Sequence, residues 1–246
     1  MPPKGQQPQR RWSFRDIQIT RGALVLFLLE VGFSIVFMTL GTVKQAELSP
    51  YLLATPDTVF RQGHVWTLVT SSLIQPSFIG LLMHGFVFFS FLPTLERFWG
   101  TSRFIRFVVV TQLAGQVAAV LVGLALGHAT GIVSLNPFMY AAIVAFGIVY
   151  AKQPVQFFGV LPLTGKQLMW GFVVFLTIAT VLQGIWEDGA ANAAAMGTAA
   201  LMVSKVSPGL AWKRWKIRRA RAQLTVIQGG AQRPAKPSSD EQKYLN

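Results

Sequence analysis

This chain of 246 residues has no cysteine and few charged side chains. The lack of cysteine excludes disulfide bridges, thiolate metal sites and cysteine nucleophiles. Charged residues make up 13% of the chain and apolar residues 52%, whereas roughly 25% of a soluble domain is charged. Because so few charges cannot cover the surface of a soluble globule, an ordinary cytosolic enzyme is excluded.

The chain instead has long apolar segments. A membrane core about 30 Å thick is crossed by about 20 helical residues, and six segments approach that length. They cover residues 23–42, 78–95, 105–126, 134–150, 168–186 and 190–206. The first begins too far along the chain, and lacks the small-residue cleavage site, expected of a signal peptide. The sequence therefore predicts an all-α membrane protein with six transmembrane helices.

The distribution of basic residues predicts the orientation of this bundle. With the N-terminus inside, all Lys and Arg residues except Lys44 and Arg61 lie on the cytoplasmic side. The acidic residues on the outer side are Glu47, Asp57, Glu187 and Asp188. This pattern satisfies the positive-inside rule, so we expect both termini in the cytoplasm (N-in/C-in). Residues 155–163 are too short to span and are predicted to form a hairpin at the cytoplasmic interface.

Composition divides the chain into three regions. Residues 1–22 form a basic N-terminal segment, residues 23–206 the six-span domain, and residues 207–246 a basic, partly disordered cytoplasmic tail. The tail includes a basic and aromatic stretch at 212–219. We interpret this stretch as lying on anionic lipid headgroups of the bilayer rather than binding nucleic acid.

The fourth segment predicts a short helix and a polar depression beside it. Asn136 is a favourable N-cap, and Pro137 suits the first helical position. A helix from there to Tyr150 is only about 21 Å long, so residues 131–135 should enter the membrane as non-helical chain. Such chain is tolerated only against protein or water. We therefore expect an outer depression lined by His84 and Asn136.

Other polar and small residues in the spans predict helix contacts. Glu30, near the middle of the first span, is expected to make a buried hydrogen bond between helices. Small residues allow helix backbones to approach closely. Three series of them occur, in the sixth span (Gly189, Ala193, Gly197), the fourth (Ala141, Ala142, Ala145) and the third (Gly115, Ala119, Gly123). We expect the fourth and sixth spans to be in close contact.

Two motifs flank the second span. Trp66-Thr67-Leu68-Val69-Thr70 precedes it, and Leu95-Glu96-Arg97-Phe98-Trp99-Gly100 closes it. They resemble the Trp-Arg-x-x-Thr and Leu-Glu-x-x-x-Gly motifs of the rhomboid intramembrane serine proteases, and the resemblance covers about residues 23–206. It implies a six-span rhomboid-like bundle with a short fourth helix packed on the sixth.

The residues that carry the chemistry of that family are replaced. The resemblance places Asn136 where active rhomboids have the nucleophilic serine, and Ala194 where they have the histidine base. An amide cannot act as the nucleophile, and a methyl group cannot act as the base. His84 stands in place of an oxyanion-binding asparagine, and Gln75 and Gly80 in place of two histidines of the second span.

A displaced catalytic pair is the remaining route to protease activity. Ser134 lies two residues before Asn136, and His84 is the only histidine within a span. The sequence shows neither an orienting partner for this histidine nor the glycine-rich turn that would bind an oxyanion. No cofactor is expected. No metal site is expected either, because His64, His84 and His128 lie on separate elements.

The resemblance implies a pseudoprotease that binds transmembrane segments of client proteins, with His84, Asn136 and Gln75 as candidate binding residues. A lateral opening beside the second and fifth spans would admit the client. Aromatic residues that could line it are Phe86, Phe88, Phe89, Trp170, Phe172 and Phe175. An active protease using Ser134 and a small-solute transporter are the alternatives, the latter disfavoured by the absence of paired broken helices. The inside N-terminus and short tails favour a bacterial inner membrane.

Overall fold

The computed structural model describes residues 19–128, 131–157 and 161–204, which are mostly helical. The helices are α1 (Arg21–Thr39), α2 (Thr42–Leu52), α3 (Thr67–Thr70), α4 (Phe78–Ser90), α5 (Leu92–Trp99), α6 (Thr101–Leu126), α7 (Asn136–Val149), α8 (Gly165–Gln183) and α9 (Trp186–Val203). Strands β1 (Pro154–Phe157) and β2 (Leu161–Thr164) pair antiparallel, with Val155 opposite Leu163. The hairpin predicted between the fourth and fifth spans is therefore present. The N-terminal residues 1–18 and the basic stretch at 212–219 lie outside the described residues.

Three helices, α1, α6 and α8, are long and apolar enough to cross a membrane. The helical segment Thr67–Leu73 and helix α4 would make a fourth span if they act as one, although they are bent by 89°. Helix α7 is apolar but has only 14 residues. The chain is thus a helical membrane protein, and each of the six predicted segments contains a helix. The count of six spans and the N-in/C-in orientation stay predictions.

The second predicted span is interrupted at both ends. Before it, residues 74–77 are not helical, because Pro76 lacks an N–H and biases the residue before it toward extended chain. Ser77 then caps α4, its Oγ accepting a hydrogen bond from the N–H of Gly80 at 3.3 Å. After it, the chain breaks at Phe91, and α5 begins with Pro93 in its first turn. Helix α4 is therefore shorter than the predicted segment 78–95.

Helix α5 carries the carboxylate that holds the N-terminus of α1. Oε1 and Oε2 of Glu96 accept hydrogen bonds from the backbone N–H groups of Gly22 at 2.9 Å and Ala23 at 2.8 Å. Such first-turn N–H groups have no partner inside their own helix, and the helix dipole favours an anion there. A Cβ at residue 22 would lie 2.7 Å from Oε1 of Glu96, so a larger residue there would displace this carboxylate. The contact fixes α1, which bears Glu30.

Hydrogen bonding also decides the charge of Glu96. Burial, the largest influence, raises the pKa of this carboxyl, but hydroxyl donors including Thr101 and the two backbone N–H groups outweigh it. They hold the pKa of Glu96 below its ordinary value. Four residues later, Gly100 has φ 79° and forms the turn into α6. Glu96 and Gly100 of the Leu-Glu-x-x-x-Gly motif thus both have structural roles in this chain.

Helices α6, α7 and α9 form the centre of the molecule. Helix α9 packs mainly on α6 and α7, which confirms the expected contact between the fourth and sixth segments. Gly115 of α6 lies against both other helices, since a Cβ there would lie 2.6 Å from Cβ of Pro137 and 3.0 Å from the carbonyl oxygen of Ala191. The N-terminal end of α7 therefore lies beside α9, one turn before Ala194.

The small residues that make this contact differ in part from the predicted ones. Ala141, Ala142 and Ala145 of α7 are fully buried, as are the described residues Gly115, Ala119 and Gly123 of α6. In α9 the buried series is Ala191, Ala195 and Ala199. Ala193 and Gly197 are exposed, and Gly189 instead contacts the side chain of Thr180 in α8. The predicted α9 series was wrong because alanines fill that helix, so spacing alone did not identify the packed face.

Candidate functional site

Three polar side chains from three helices form a continuous hydrogen-bonded line. Nδ1 of His84 in α4 lies 2.6 Å from Oε1 of Glu30 in α1. Nε2 of the same ring lies 2.8 Å from Oδ1 of Asn136 in α7. Glu30 is fully buried, His84 is 5% exposed and Asn136 is half-buried. The line therefore runs from the protein interior toward a more open end at Asn136.

The hydrogen positions in this line follow from the partners. The amide oxygen of Asn136 can only accept, so Nε2 of His84 is the donor. Two acceptors cannot face each other at 2.6 Å, so one proton lies between Nδ1 of His84 and Oε1 of Glu30. The Glu30–His84 pair is net neutral whichever of the two atoms holds that proton. This neutrality reduces the cost of burying both groups in a membrane protein.

The non-helical chain before α7 is held on several sides. Ile132 forms an isolated antiparallel bridge with Ala54. Ser134 adopts φ 85°, which is unfavourable for a residue with a Cβ. Its N–H donates to the carbonyl oxygen of Ser71 at 2.8 Å, and its carbonyl oxygen accepts from Nε2 of Gln112 at 3.0 Å. These contacts offset the strain and place Asn136 at the start of α7.

The hydroxyl of Ser134 lies in a second polar cluster next to the line. Its Oγ accepts from Nε2 of Gln75 and from the backbone N–H of Asn136, both at 3.2 Å. The amide of Gln75 packs against Gly80, where a Cβ would lie 2.7 Å from the Gln75 side chain. Oε1 of Gln112 accepts from the N–H of Phe138 at 3.0 Å. The first turn of α7 is therefore capped by side chains from other elements.

The structure brings together most of the predicted site residues. His84 and Asn136 are hydrogen-bonded, and Gln75 reaches the chain beside them through Ser134. Both nitrogens of the His84 ring have partners other than Ser134, so this pair is not hydrogen-bonded. Ala194 lies on α9, which packs on α7.

Two details of the site differ from the sequence analysis. Asn136 is the first residue of α7 rather than its N-cap, which is Leu135, because the Asn136 side chain bonds to His84 instead of the helix end. The contribution of Gln112, Gln116 and Ser72 was not foreseen. Nε2 of each glutamine donates to Oγ of Ser72, at 2.9 and 3.3 Å. The signal was available, since two glutamines in an apolar segment need buried partners.

The Trp66 motif joins the segment before α4 to the end of α2. The indole N–H of Trp66 donates to the carbonyl oxygen of Tyr51 at 3.1 Å, and Oγ1 of Thr70 donates to that of Leu52 at 2.9 Å. His64 stacks between the rings of Tyr51 and Trp66, with ring centres 5.3 and 4.5 Å away. These residues hold the connection that carries Ala54 to its bridge with Ile132.

The remaining histidine is also paired away from the site. Nδ1 of His128, after the end of α6, lies 2.6 Å from Oε1 of Glu187 at the start of α9. With His64 bonded to the carbonyl oxygen of Pro50 at 3.0 Å, the three histidines lie in three separate surroundings.

The aromatic residues proposed to line a lateral opening differ in exposure, and Phe86, Phe89 and Phe172 are half-buried. Phe88 is 1% exposed and contacts Phe27 of α1, with ring centres 5.2 Å apart, so it belongs to the core. Trp170 and Phe175 of α8 are 54% and 62% exposed. Only 11% of the apolar 18-residue stretch of α8 is buried inside the protein, against 50% of the corresponding stretch of α6. Helix α8 therefore offers a large apolar surface to the membrane.

These observations define the class of the protein as a multi-pass helical integral membrane protein with a buried polar site at the start of a short central helix. The family described as "Eukaryotic integral membrane protein (DUF1751)" matches residues 23–204. Since this match covers most of the chain, the chain belongs to that family. No curated protein matches it.

The family corrects the predicted location. A bacterial inner membrane is wrong, because the family is one of eukaryotic integral membrane proteins. The prediction depended on an inside N-terminus and short tails, which multi-pass proteins of either kind of cell can have. The membrane-protein part of the prediction is confirmed.

Proposed function

We propose that this chain is a rhomboid-like membrane protein without protease activity that binds transmembrane segments of other proteins. It would cross the membrane six times with both termini in the cytoplasm. The observation that carries the proposal is the hydrogen bond from His84 to Asn136, backed by Glu30. By the rhomboid resemblance, an amide then stands at the place of the nucleophile, and the only nearby imidazole is committed to it.

The surroundings of Ser134 support the non-proteolytic part of the proposal. A nucleophilic hydroxyl must give its proton to a base. The two groups bonded to Oγ of Ser134, the amide of Gln75 and the backbone N–H of Asn136, are both donors. Neither can take a proton from the hydroxyl. Among the residues that the structure describes, Ser134 therefore has no partner that could act as a general base.

The binding part of the proposal depends on the outer faces of α4 and α8. Ile79 and Leu82 of α4 are 73% and 59% exposed, and Val174 and Ile178 of α8 are each 53% exposed. Helices associate in membranes by close packing and by polar contacts. A client helix that loses a turn beside α4 would free backbone carbonyls. The amide of Asn136, at the open end of the polar line, is of the type that satisfies them.

Client binding can be tested with defined single-span peptides and the full chain in liposomes. One peptide carries a central Gly-Pro break in a polyleucine helix, and the other is uninterrupted. We expect energy transfer from labelled protein to the interrupted peptide. Asn136→Leu should lower the affinity for this peptide about fivefold, since one such hydrogen bond is worth about 1 kcal/mol. The matched control is Thr42→Leu, at an exposed site on α2. If the chain bound the two peptides equally, and Asn136→Leu bound them as tightly as the control variant does, the proposal would be overturned.

The protease alternative has a separate test. A fluorophosphonate probe labels serine nucleophiles covalently, and the proposal expects no labelling of the full chain in liposomes. Labelling that is lost in Ser134→Ala and retained in Ser72→Ala would establish an enzyme and defeat the non-proteolytic assignment.

A further inference from the structure

A groove of about 350 Å³ lies along the first half of α8. Its lining is almost entirely apolar and consists of Leu163, Gln167, Leu168, Gly171, Phe172 and Phe175. Gln167 contributes little polarity, because its Oε1 accepts from the N–H and the hydroxyl of Thr164 in the cap of α8, both at 2.9 Å. Gly171 leaves the groove open, since a Cβ there would have no atom of the described residues within 4 Å.

The length of the groove matches one leaflet of a bilayer. From Gly165, where α8 begins, to Phe175 the helix rises about 15 Å, which is half of a membrane core about 30 Å thick. A transmembrane helix would need a contact surface over the whole thickness. An acyl chain of a lipid needs only the half that starts at the headgroup level, and the sequence predicts that the β1–β2 hairpin, which precedes α8, lies at this level.

Two lysines lie at the headgroup end of this groove. The N–H of Gly165 donates to the carbonyl oxygen of Gln153 at 3.3 Å, and that of Lys166 to Ala151 at 3.4 Å. These bonds bring Lys152 and Lys166 to the same base of the hairpin, and both are exposed. The sequence has no Asp or Glu between residues 97 and 186, so no carboxylate of this part of the chain neutralises them.

We propose that this groove binds one acyl chain of an anionic glycerophospholipid, with the phosphate and acidic headgroup at Lys152 and Lys166. The basic pair would then draw on the negative potential of the cytoplasmic leaflet, the side on which the positive-inside pattern places the hairpin. The proposal does not rest on client binding, although the groove lies on α8 beside the surface proposed for the client, and it involves none of the residues of the polar line at Asn136.

Native mass spectrometry of the full chain in detergent can test the proposal with phosphatidylserine and phosphatidylcholine of identical acyl chains. We expect wild type to retain phosphatidylserine in preference to phosphatidylcholine. Lys152→Gln with Lys166→Gln should weaken phosphatidylserine binding by about thirtyfold and remove the preference. Lys44→Gln, at an exposed lysine on α2, is the matched control.

A second variant tests the groove itself. Gly171→Leu should fill it and abolish retention of this lipid, while the basic tail is unchanged. Gly32→Leu is its control, because Gly32 of α1 is exposed and likewise has no atom within 4 Å of a Cβ. Phosphatidylserine with a photoreactive acyl chain should label residues 163–175 in wild type. Undiminished retention in Gly171→Leu, or labelling elsewhere only, would mean ordinary annular contact and overturn the proposal.

Discussion

The hydrogen bond between Glu30 and His84 predicts an energetic coupling between α1 and α4. In Glu30→Leu, Nδ1 of His84 loses the hydrogen-bond partner that it has among the described residues. In His84→Leu, Glu30 and Asn136 both lose a partner. In the double variant both side chains of the Glu30–His84 pair are replaced, so neither leaves the other without its partner. We therefore expect the double variant to be more stable than the sum of the two single losses allows.

The size of the coupling follows from two opposing estimates. Leaving a buried polar group unpaired costs about 1–3 kcal/mol. Hydrogen bonds between membrane helices are worth less, about 0.6 kcal/mol on average and up to about 1.7. The 2.6 Å separation and the full burial of Glu30 favour the upper end. Oε2 of Glu30 acts in the other direction, since it is buried with no hydrogen-bond partner among the described residues. We expect a coupling of about 1.5 kcal/mol and single losses of about 2 kcal/mol.

Thermal unfolding of the full chain in detergent, followed by tryptophan fluorescence, measures this cycle. At about 2–4 °C per kcal/mol for a chain of this size, each single variant should lower Tm by roughly 4–8 °C. A control cycle combines Glu30→Leu with Thr111→Val. Thr111 is fully buried in α6 and donates to the carbonyl oxygen of Phe107 in its own helix. This control should be additive to within about 0.5 kcal/mol.

The result that refutes the reasoning is a Glu30–His84 coupling no larger than that of the control cycle. The two side chains would then not share a hydrogen bond in the folded protein. The account of His84 as the donor that holds Asn136 would lose its support.

Two further predictions concern helix contacts. Glu96→Leu should cost about 1–2 kcal/mol because α1 loses its cap. Because the pKa of Glu96 is lowered in the folded protein, wild type has this stability in full above the ordinary carboxyl pKa of 4.5 and loses it as the pH falls further. Thermal unfolding over a pH series measures this loss. The same loss of stability in acid for Glu96→Leu would contradict the prediction. A Cβ at Gly147 would collide with Cβ of Met169, so Gly147→Ala should cost about 1–3 kcal/mol, whereas Gly171→Ala, which meets open space, should be neutral or slightly stabilising. Equal Tm values for the two would show that α7 and α8 are not in close contact.

Much of the architecture was predictable because helices that cross a membrane leave long apolar runs in the sequence. Apolar runs located all six helical segments, and Pro137 together with the short apolar run fixed α7 to within a residue of its bounds. What the apolar pattern could not show was where helices break. The bend of 89° before α4 follows from Pro76 and from side-chain contacts that only the folded chain supplies.

The polar site was predictable residue by residue but not as a network. Depth along a helix indicated that Glu30, His84 and Asn136 each needed a partner. Depth does not give rotation about the helix axis, so the pairing of Glu30 with His84 could not be assigned. Gln112 reaches Ser134 across 22 residues of sequence, and such pairings depend on how α6 is rotated against the chain before α7.

The contacts of the motif residues show what a resemblance at these positions can indicate. Trp66 and Thr70 bond to the end of α2, Glu96 caps α1, and Gly100 makes the turn into α6. Each of these roles serves the fold and none touches the site at Asn136. A match at these positions is therefore evidence about how the helices are arranged. Function has to be argued from the site itself, where His84 is committed to an amide rather than to a nucleophile.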